Sequence, residues 1–251
     1  MDRKYRRIPL TGIFNIRDLG GFPVDGGATR YGVFVRSEAP SGLPPDDVDA
    51  LIAYGVRTVV DFRGDREVRE KPSAFADVPG VRYVRSPAFN DQVAFGAEKK
   101  KSGPPITNHV AWSELYIEML DDCREWFRET VETLAAADGC ALYNCATGKD
   151  RVGLITMMLL GLAGVGDDDI VADYCVSEVY LTHAYVPMLE QYNAMFGGDA
   201  KLTDSFFRTS PENMRVTLAH IARGFGGIEA YAAACGISRA AVRRLREKFA
   251  E

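Results

Sequence analysis

The chain has 251 residues, 47% of them hydrophobic, and a formal net charge of −5 at neutral pH. That length and apolar content suffice to bury one core and lie at the upper end for a single α/β domain, so residues 1–251 read as one domain. The acidic balance argues against nucleic-acid binding and against attachment to anionic membranes through bulk charge.

The first seven residues are basic but lead into no apolar stretch, so they do not read as a cleavable signal. Strands are predicted over Tyr31–Arg36, Val56–Phe62 and Val81–Arg85, with a helix over Asp46–Tyr54 after the Pro44-Pro45 start signal. Strands alternating with helices imply a mostly parallel central sheet covered by helices on both faces. Residues 86–108 break the pattern with Lys99-Lys100-Lys101, Gly103 and Pro104-Pro105. Composition alone reads this stretch as a solvated charged segment; as a long loop in a compact domain it is also a candidate lid.

From Val110 to Ala137 the pattern is helical, with Trp112, Leu115, Ile117, Met119, Trp126 and Val131 as core positions. Cys140–Tyr143 reads as a short buried strand and Val152–Val165 as an apolar helix, too short to cross a bilayer. Asp167–Glu251 is nearly all helical, interrupted at Gly226-Gly227. There Tyr180, Tyr185, Met188, Tyr192 and Met195 read as packing residues. His109, His183 and His220 are scattered without a thiol or carboxylate at ligand spacing, so neither a metal nor another cofactor is expected. Five cysteines, Cys123, Cys140, Cys145, Cys175 and Cys235, show no metal or redox spacing and suit a reducing cytoplasm.

The stretch Tyr143-Asn144-Cys145-Ala146-Thr147-Gly148-Lys149-Asp150-Arg151-Val152-Gly153 joins the strand to the helix. Unpaired N–H groups at a helix N-terminus, with the positive end of its dipole, favour an anion, and a glycine lets backbone curl around it. A cysteine there gains as thiolate, because a free pKa near ~8.5 falls beside cations and helix starts. Arg151, five residues beyond Cys145, offers a planar fork for two phosphate oxygens. The plainer alternative is a buried structural cysteine followed by a charged helix start. Gly148-Lys149 lacks a following Ser or Thr and the earlier glycine, which excludes a Walker loop.

Cys145-Ala146-Thr147-Gly148-Lys149-Asp150-Arg151 resembles the signature loop of cysteine-dependent phosphatases, specifically the bacterial tyrosine phosphatase B class. Asn15-Ile16-Arg17-Asp18-Leu19-Gly20-Gly21, Phe34-Val35-Arg36-Ser37, Val59-Val60-Asp61-Phe62-Arg63 with Glu67, and Ala172-Asp173-Tyr174 resemble further segments of that family, in family order. The resemblance implies a three-layer tyrosine-phosphatase-like α/β fold with a helical C-terminal part. It also implies hydrolysis of phosphotyrosine, phosphoserine or phosphothreonine, or phosphoinositides. Partners would then be a phosphorylated protein or phosphoinositide substrate and inorganic phosphate as product. Two departures stand out: Asn144 where the family has His, and Val152 where it has Thr. Asn144 offers amide hydrogen bonds to the loop, whereas Val152 offers none.

The implied mechanism is attack by Cys145 on phosphorus, with Ala146, Thr147, Gly148, Lys149, Asp150 and Arg151 binding the phosphoryl group and water hydrolysing the phosphocysteine. Three aspartates are candidate general acids: Asp150, which the resemblance favours, Asp61 at a strand end, and Asp91 in the long loop. For Asp61 the structural alternative is an ion pair with Arg63 or Arg66. Lys149 either meets a second substrate phosphate, which would suit phosphoinositides, or assists the thiolate. Cys140 and Cys175 are core positions or resolving partners for an oxidised Cys145. Two other readings remain: a phosphate-binding module without turnover, motivated by Asn144 and Val152, and a rhodanese-type sulfurtransferase, which the closing arginine disfavours.

Overall fold

In the computed structural model, which describes residues 6–88, 112–182, 186–187, 189–190 and 208–249, the short apolar runs become strands. In chain order these are β1 (Ile16–Asp18), the hairpin pair β2 (Pro23–Val24) and β3 (Gly27–Ala28), β4 (Phe34–Ser37), β5 (Val56–Asp61), β6 (Arg82–Arg85) and β7 (Cys140–Asn144). The helices are α1 (Pro45–Tyr54), α2 (Asp65–Glu70), α3 (Trp112–Asp122), α4 (Arg124–Ala136), α5 (Asp150–Ala163), α6 (Asp167–Leu181), α7 (Pro211–Phe225), α8 (Ile228–Ala234) and α9 (Arg239–Phe249).

The main sheet has the order β1-β4-β7-β5-β6. β7 lies in the middle, parallel to β4 and β5; β6 extends β5 in parallel, and β1 closes the other edge antiparallel to β4. Every residue of β7 is buried, as a central parallel strand covered on both faces requires.

Side chains of a strand alternate between faces, and the alternation sorts the core into two halves. Phe34, Val60, Ala141 and Tyr143 join the larger cluster under α3, α4, α5 and α6. Val35, Val59, Cys140 and Leu142 join the smaller one with Leu51 and Tyr54 of α1. The result is the expected three-layer α/β arrangement. α5 is buried along nearly its whole length, which its uniformly apolar sequence demands, and it ends where Gly164 takes a left-handed φ of 94°.

Boundaries shift in two informative places. The helix expected over Val110–Ala137 divides at Cys123, whose backbone leaves helical geometry (φ −111°, ψ 31°). The Tyr231 hydroxyl of α8 donates to the Leu120 carbonyl in the last turn of α3, and α4 turns away to pack on α9. α5 starts at Asp150, two residues before the expected Val152, because the preceding loop already winds into the helix. None of the described helices is long and apolar enough to cross a membrane. The lid expected over 86–108 lies outside the described residues from 89 onward, as do Asp91, His109, His183, Tyr185, Met188, Tyr192 and Met195.

Candidate active site

The loop from Cys145 to Lys149 connects the C-terminal end of β7 to the N-terminus of α5. Cys145 is buried at its base. Gly148 has φ +68°, and a Cβ on it would lie 2.5 Å from the Glu38 amide nitrogen and 2.6 Å from the Ser37 carbonyl carbon. Only glycine combines that dihedral with so close an approach to the end of β4.

Three successive loop carbonyls are held from behind. Ala146 O accepts from the Ala39 amide at 3.1 Å, Thr147 O from Asn15 Nδ2 at 2.8 Å and Gly148 O from Arg36 Nη2 at 2.7 Å. In a planar trans peptide the next N–H points opposite its C=O. The amides of Thr147, Gly148 and Lys149 therefore face the other way, toward the concave side where the α5 N-terminus also opens. That is the geometry of an anion nest.

Beneath the nest lies a buried charge cluster. Arg17 donates through Nε to Asp173 Oδ1 at 2.8 Å, through Nη1 to Asn15 Oδ1 at 2.6 Å and through Nη2 to Ser177 Oγ at 3.1 Å. Arg36 donates through Nη1 to Asp173 Oδ2 at 2.5 Å. Burial alone would push Asp173 up, but the charges of Arg17 and Arg36 outweigh it and hold the carboxyl down at about 2. Burial, and then the charge of Arg36, lowers Arg17. Two guanidiniums against one carboxylate leave a net positive charge behind the loop, favourable to an anion in front of it.

Arg151 is held by a carboxylate fork: Nη1 and Nη2 donate to Glu67 Oε2 and Oε1, each at 2.8 Å, and Nη1 also donates to Phe62 O at 3.1 Å. Burial would raise Glu67, but the Arg151 hydrogen bonds and charge prevail and keep it below the usual carboxylate range. Glu67 thus orients the guanidinium plane, a role its place in the sequence pattern did not reveal.

Asp61 requires a correction. It is fully buried, accepting from Arg63 through Nε at 2.9 Å and Nη2 at 2.7 Å, from the Tyr83 hydroxyl at 2.8 Å and from Asn144 Nδ2 at 3.0 Å. A carboxylate saturated by donors on both oxygens and shut away from solvent is a structural ion pair with Arg63, unsuited to protonating a leaving group. Arg66, the other expected partner, pairs with Glu70 on the surface. Asn144 also departs from expectation, since its amide serves Asp61 instead of the loop and its buried Oδ1 has no hydrogen-bond partner among the described residues. Val152 is buried, and Thr156, one turn further on, is committed to the Val152 carbonyl and the Tyr143 hydroxyl.

Asp150, the first residue of α5, lies at the rim of the nest. Its Oδ1 accepts from the Tyr116 hydroxyl at 2.5 Å and lies 3.3 Å from Lys149 Nζ. Lys149 is buried, with Nζ 4.0 Å from the centre of the Trp112 ring, and burial lowers it. This overturns the picture of a lysine rising toward a second substrate phosphate. The hydroxyls of Tyr116 and Tyr174 lie 2.8 Å apart; Tyr174 carried only a motif resemblance in the sequence, and Tyr116 no signal of its own. Their polarity shows only once α3, α5 and α6 are brought together.

No disulfide joins the described cysteines. Cys140 and Cys145 stand at opposite ends of β7, about 16 Å apart for five residues of extended chain, so Cys140 is not a resolving partner. Burial raises Cys175, which suits a core thiol. Among the described residues no cluster of His, Cys, Asp or Glu could hold a metal ion.

A sequence model described as "Tyrosine phosphatase family" matches residues 8–251. The chain is 29% identical to a tyrosine-protein phosphatase of Nostoc commune over 87% of its own length and 74% of that protein. It is 26% identical to the triple specificity protein phosphatase PtpB of Mycobacterium tuberculosis, over 94% of this chain and 96% of that one.

Proposed function

The chain belongs to the tyrosine phosphatase family, and from that premise we propose that it hydrolyses phosphate monoesters through a phosphocysteine at Cys145. The thiolate attacks phosphorus while the loop amides and Arg151 hold the equatorial oxygens. Asp150 gives its proton to the leaving oxygen as the P–O bond breaks. Water then attacks the phosphocysteine, Asp150 takes its proton, and the P–S bond breaks to return the thiolate and release inorganic phosphate.

The observation that carries this reading is the row of three loop carbonyls bonded outward behind a buried cysteine, with Arg151 clamped at the far end of the same turn. The substrate range we propose is broad, covering phosphotyrosine, phosphoserine or phosphothreonine and phosphoinositides; the name of the mycobacterial relative, a triple specificity phosphatase, supports breadth. A phosphate-binding protein with little turnover is the second reading. Two observations favour it: an Asn144 Oδ1 with no hydrogen-bond partner among the described residues, and a valine at 152 that offers no hydroxyl to assist the departing thiolate.

Phosphate release from p-nitrophenyl phosphate, phosphotyrosine and phosphoserine peptides and short-chain phosphoinositides separates the two. Wild type is expected to turn over, Cys145→Ser to bind without turnover, and Arg151→Ala to lose both. Hydrolysis surviving in Cys145→Ser would sink the covalent scheme. Binding without turnover in wild type would establish the second reading.

A further inference from the structure

Asp150 has to switch roles within one cycle, acid in the first step and base in the second, and it has to do so through the oxygen that faces the reacting groups. Its two oxygens are not equivalent. Oδ1 receives the Tyr116 hydroxyl at 2.5 Å and the nearby Lys149 ammonium at 3.3 Å, whereas among the described residues Oδ2 has no hydrogen-bond partner. Tyr116 has a single hydroxyl hydrogen. Committed to Asp150, it leaves Tyr116 as acceptor toward Tyr174, whose hydroxyl lies 2.8 Å away. The chain Tyr174, Tyr116, Asp150 crosses from α6 through α3 to the first residue of α5.

Both phenols are buried. Burial first, and then the neighbouring Asp150 charge, raises each far above its ordinary range, so they remain neutral donors throughout the working pH range. A donor that never ionises cannot compete with Asp150 for the substrate proton. It can only fix which oxygen carries it.

We propose that Tyr116, backed by Tyr174, is the positioning residue of the general acid: by occupying Oδ1 it confines the transferable proton to Oδ2 and holds the carboxyl in one rotamer through both steps. The proposal rests on the reading of Asp150 as the acid. No proton is created or lost along the chain. Oδ2–H breaks in the first step as the leaving oxygen gains the proton, Oδ2–H re-forms from water in the second, and the Tyr116 O–H stays intact.

The test is the dependence of kcat/KM, which reports the steps through P–O cleavage, on leaving-group basicity, which simple loosening of the fold would not alter. Steady-state turnover of p-nitrophenyl phosphate, phenyl phosphate and an alkyl phosphate is compared for wild type, Asp150→Asn, Tyr116→Phe and Tyr174→Phe, with thermal melts alongside. Asp150→Asn is expected to lose on the order of 100-fold with phenyl phosphate and far less with the activated ester, because an acid matters most when the leaving group is poor. Tyr116→Phe is expected to lose about tenfold with phenyl phosphate, the loss of one charge-assisted hydrogen bond, and only about twofold with p-nitrophenyl phosphate because its good leaving group draws little on the acid. Tyr174→Phe should shift in the same direction by less. A steep dependence in Asp150→Asn with a wild-type dependence in Tyr116→Phe would overturn the role of Tyr116 alone. A wild-type dependence in Asp150→Asn would overturn the assignment of the acid itself. Equal losses on all three esters in Tyr116→Phe, with a lowered melting temperature, would make the tyrosine structural and sink the proposal.

Discussion

Gly148 is the residue on which the cradle turns. Its left-handed φ and its Cβ-forbidding contact with Glu38 and Ser37 impose separate penalties, and they can be measured separately. Gly42 has a similar φ of +65° but open space around it, so Gly42→Ala should cost about 1 kcal/mol of stability and leave turnover unchanged. Gly148→Ala carries the same dihedral penalty plus a clash against backbone that cannot yield. It should lower phosphate affinity and turnover by more than tenfold, as judged by inorganic phosphate inhibition and kcat. Equal behaviour of the two variants would show that the close approach is unimportant. The cysteine, the glycine and the arginine of the cradle stood out in the sequence because all lie within one short loop. Glu67, Asn144 and Tyr116 were not, because each takes its meaning from a partner distant in the chain: Arg151, Asp61 and Asp150. The case of Lys149 is similar, since its charge was evident and its burial against Trp112 was not.

At the scale of elements, Asp173 ties α6 to β1 and β4 by accepting from Arg17 and Arg36. Its folded pKa of about 2 lies below the unfolded value near ~3.9. A carboxylate depressed in this way adds stability that is present in full above about pH 4 and is lost as pH falls toward 2. The contribution is about 2 kcal/mol. Denaturant titrations of wild type and Asp173→Asn at pH 6, 4 and 2.5 should show a stability gap that narrows by this amount on acidification. A gap independent of pH would mean that Asp173 is not the anion of the cluster. The strands β4, β5, β6 and β7 were readable from their apolar runs. β1, only three residues long, carries no usable periodicity and was seen only as part of a motif. The break at Cys123 was invisible for a different reason: what ends α3 is a tyrosine on α8, over a hundred residues away.

Over the whole molecule, the alternation of strands and helices was enough to predict three layers, because a parallel strand covered on both faces leaves a continuous apolar signature. The stacking of α7, α8 and α9 against α3, α4 and α5 was foreseen only as helical content. The site draws on both halves of the molecule, so an oxyanion bound there should stabilise the entire fold. At a hundredfold excess over its dissociation constant, inorganic phosphate or tungstate should add about 2.7 kcal/mol, visible as a raised melting temperature. Cys145→Ser should retain that rise and Arg151→Ala should lose it; a rise that survives in Arg151→Ala would place the anion elsewhere.

The loop that bears the thiol is short, yet the groups that shape it come from the beginning and from the later part of the chain. Asn15 holds Thr147 across 132 positions, and Arg17 meets Asp173 across 156. Contacts of such long span form late, because the closure entropy of the intervening chain has to be met before they add stability. A growing polypeptide that has reached only the end of α5 already contains Cys145 and Arg151, but it lacks Asp173 and Ser177 to brace the arginines behind them. The loop is therefore unbraced during synthesis, and the cradle is completed only when α6 docks.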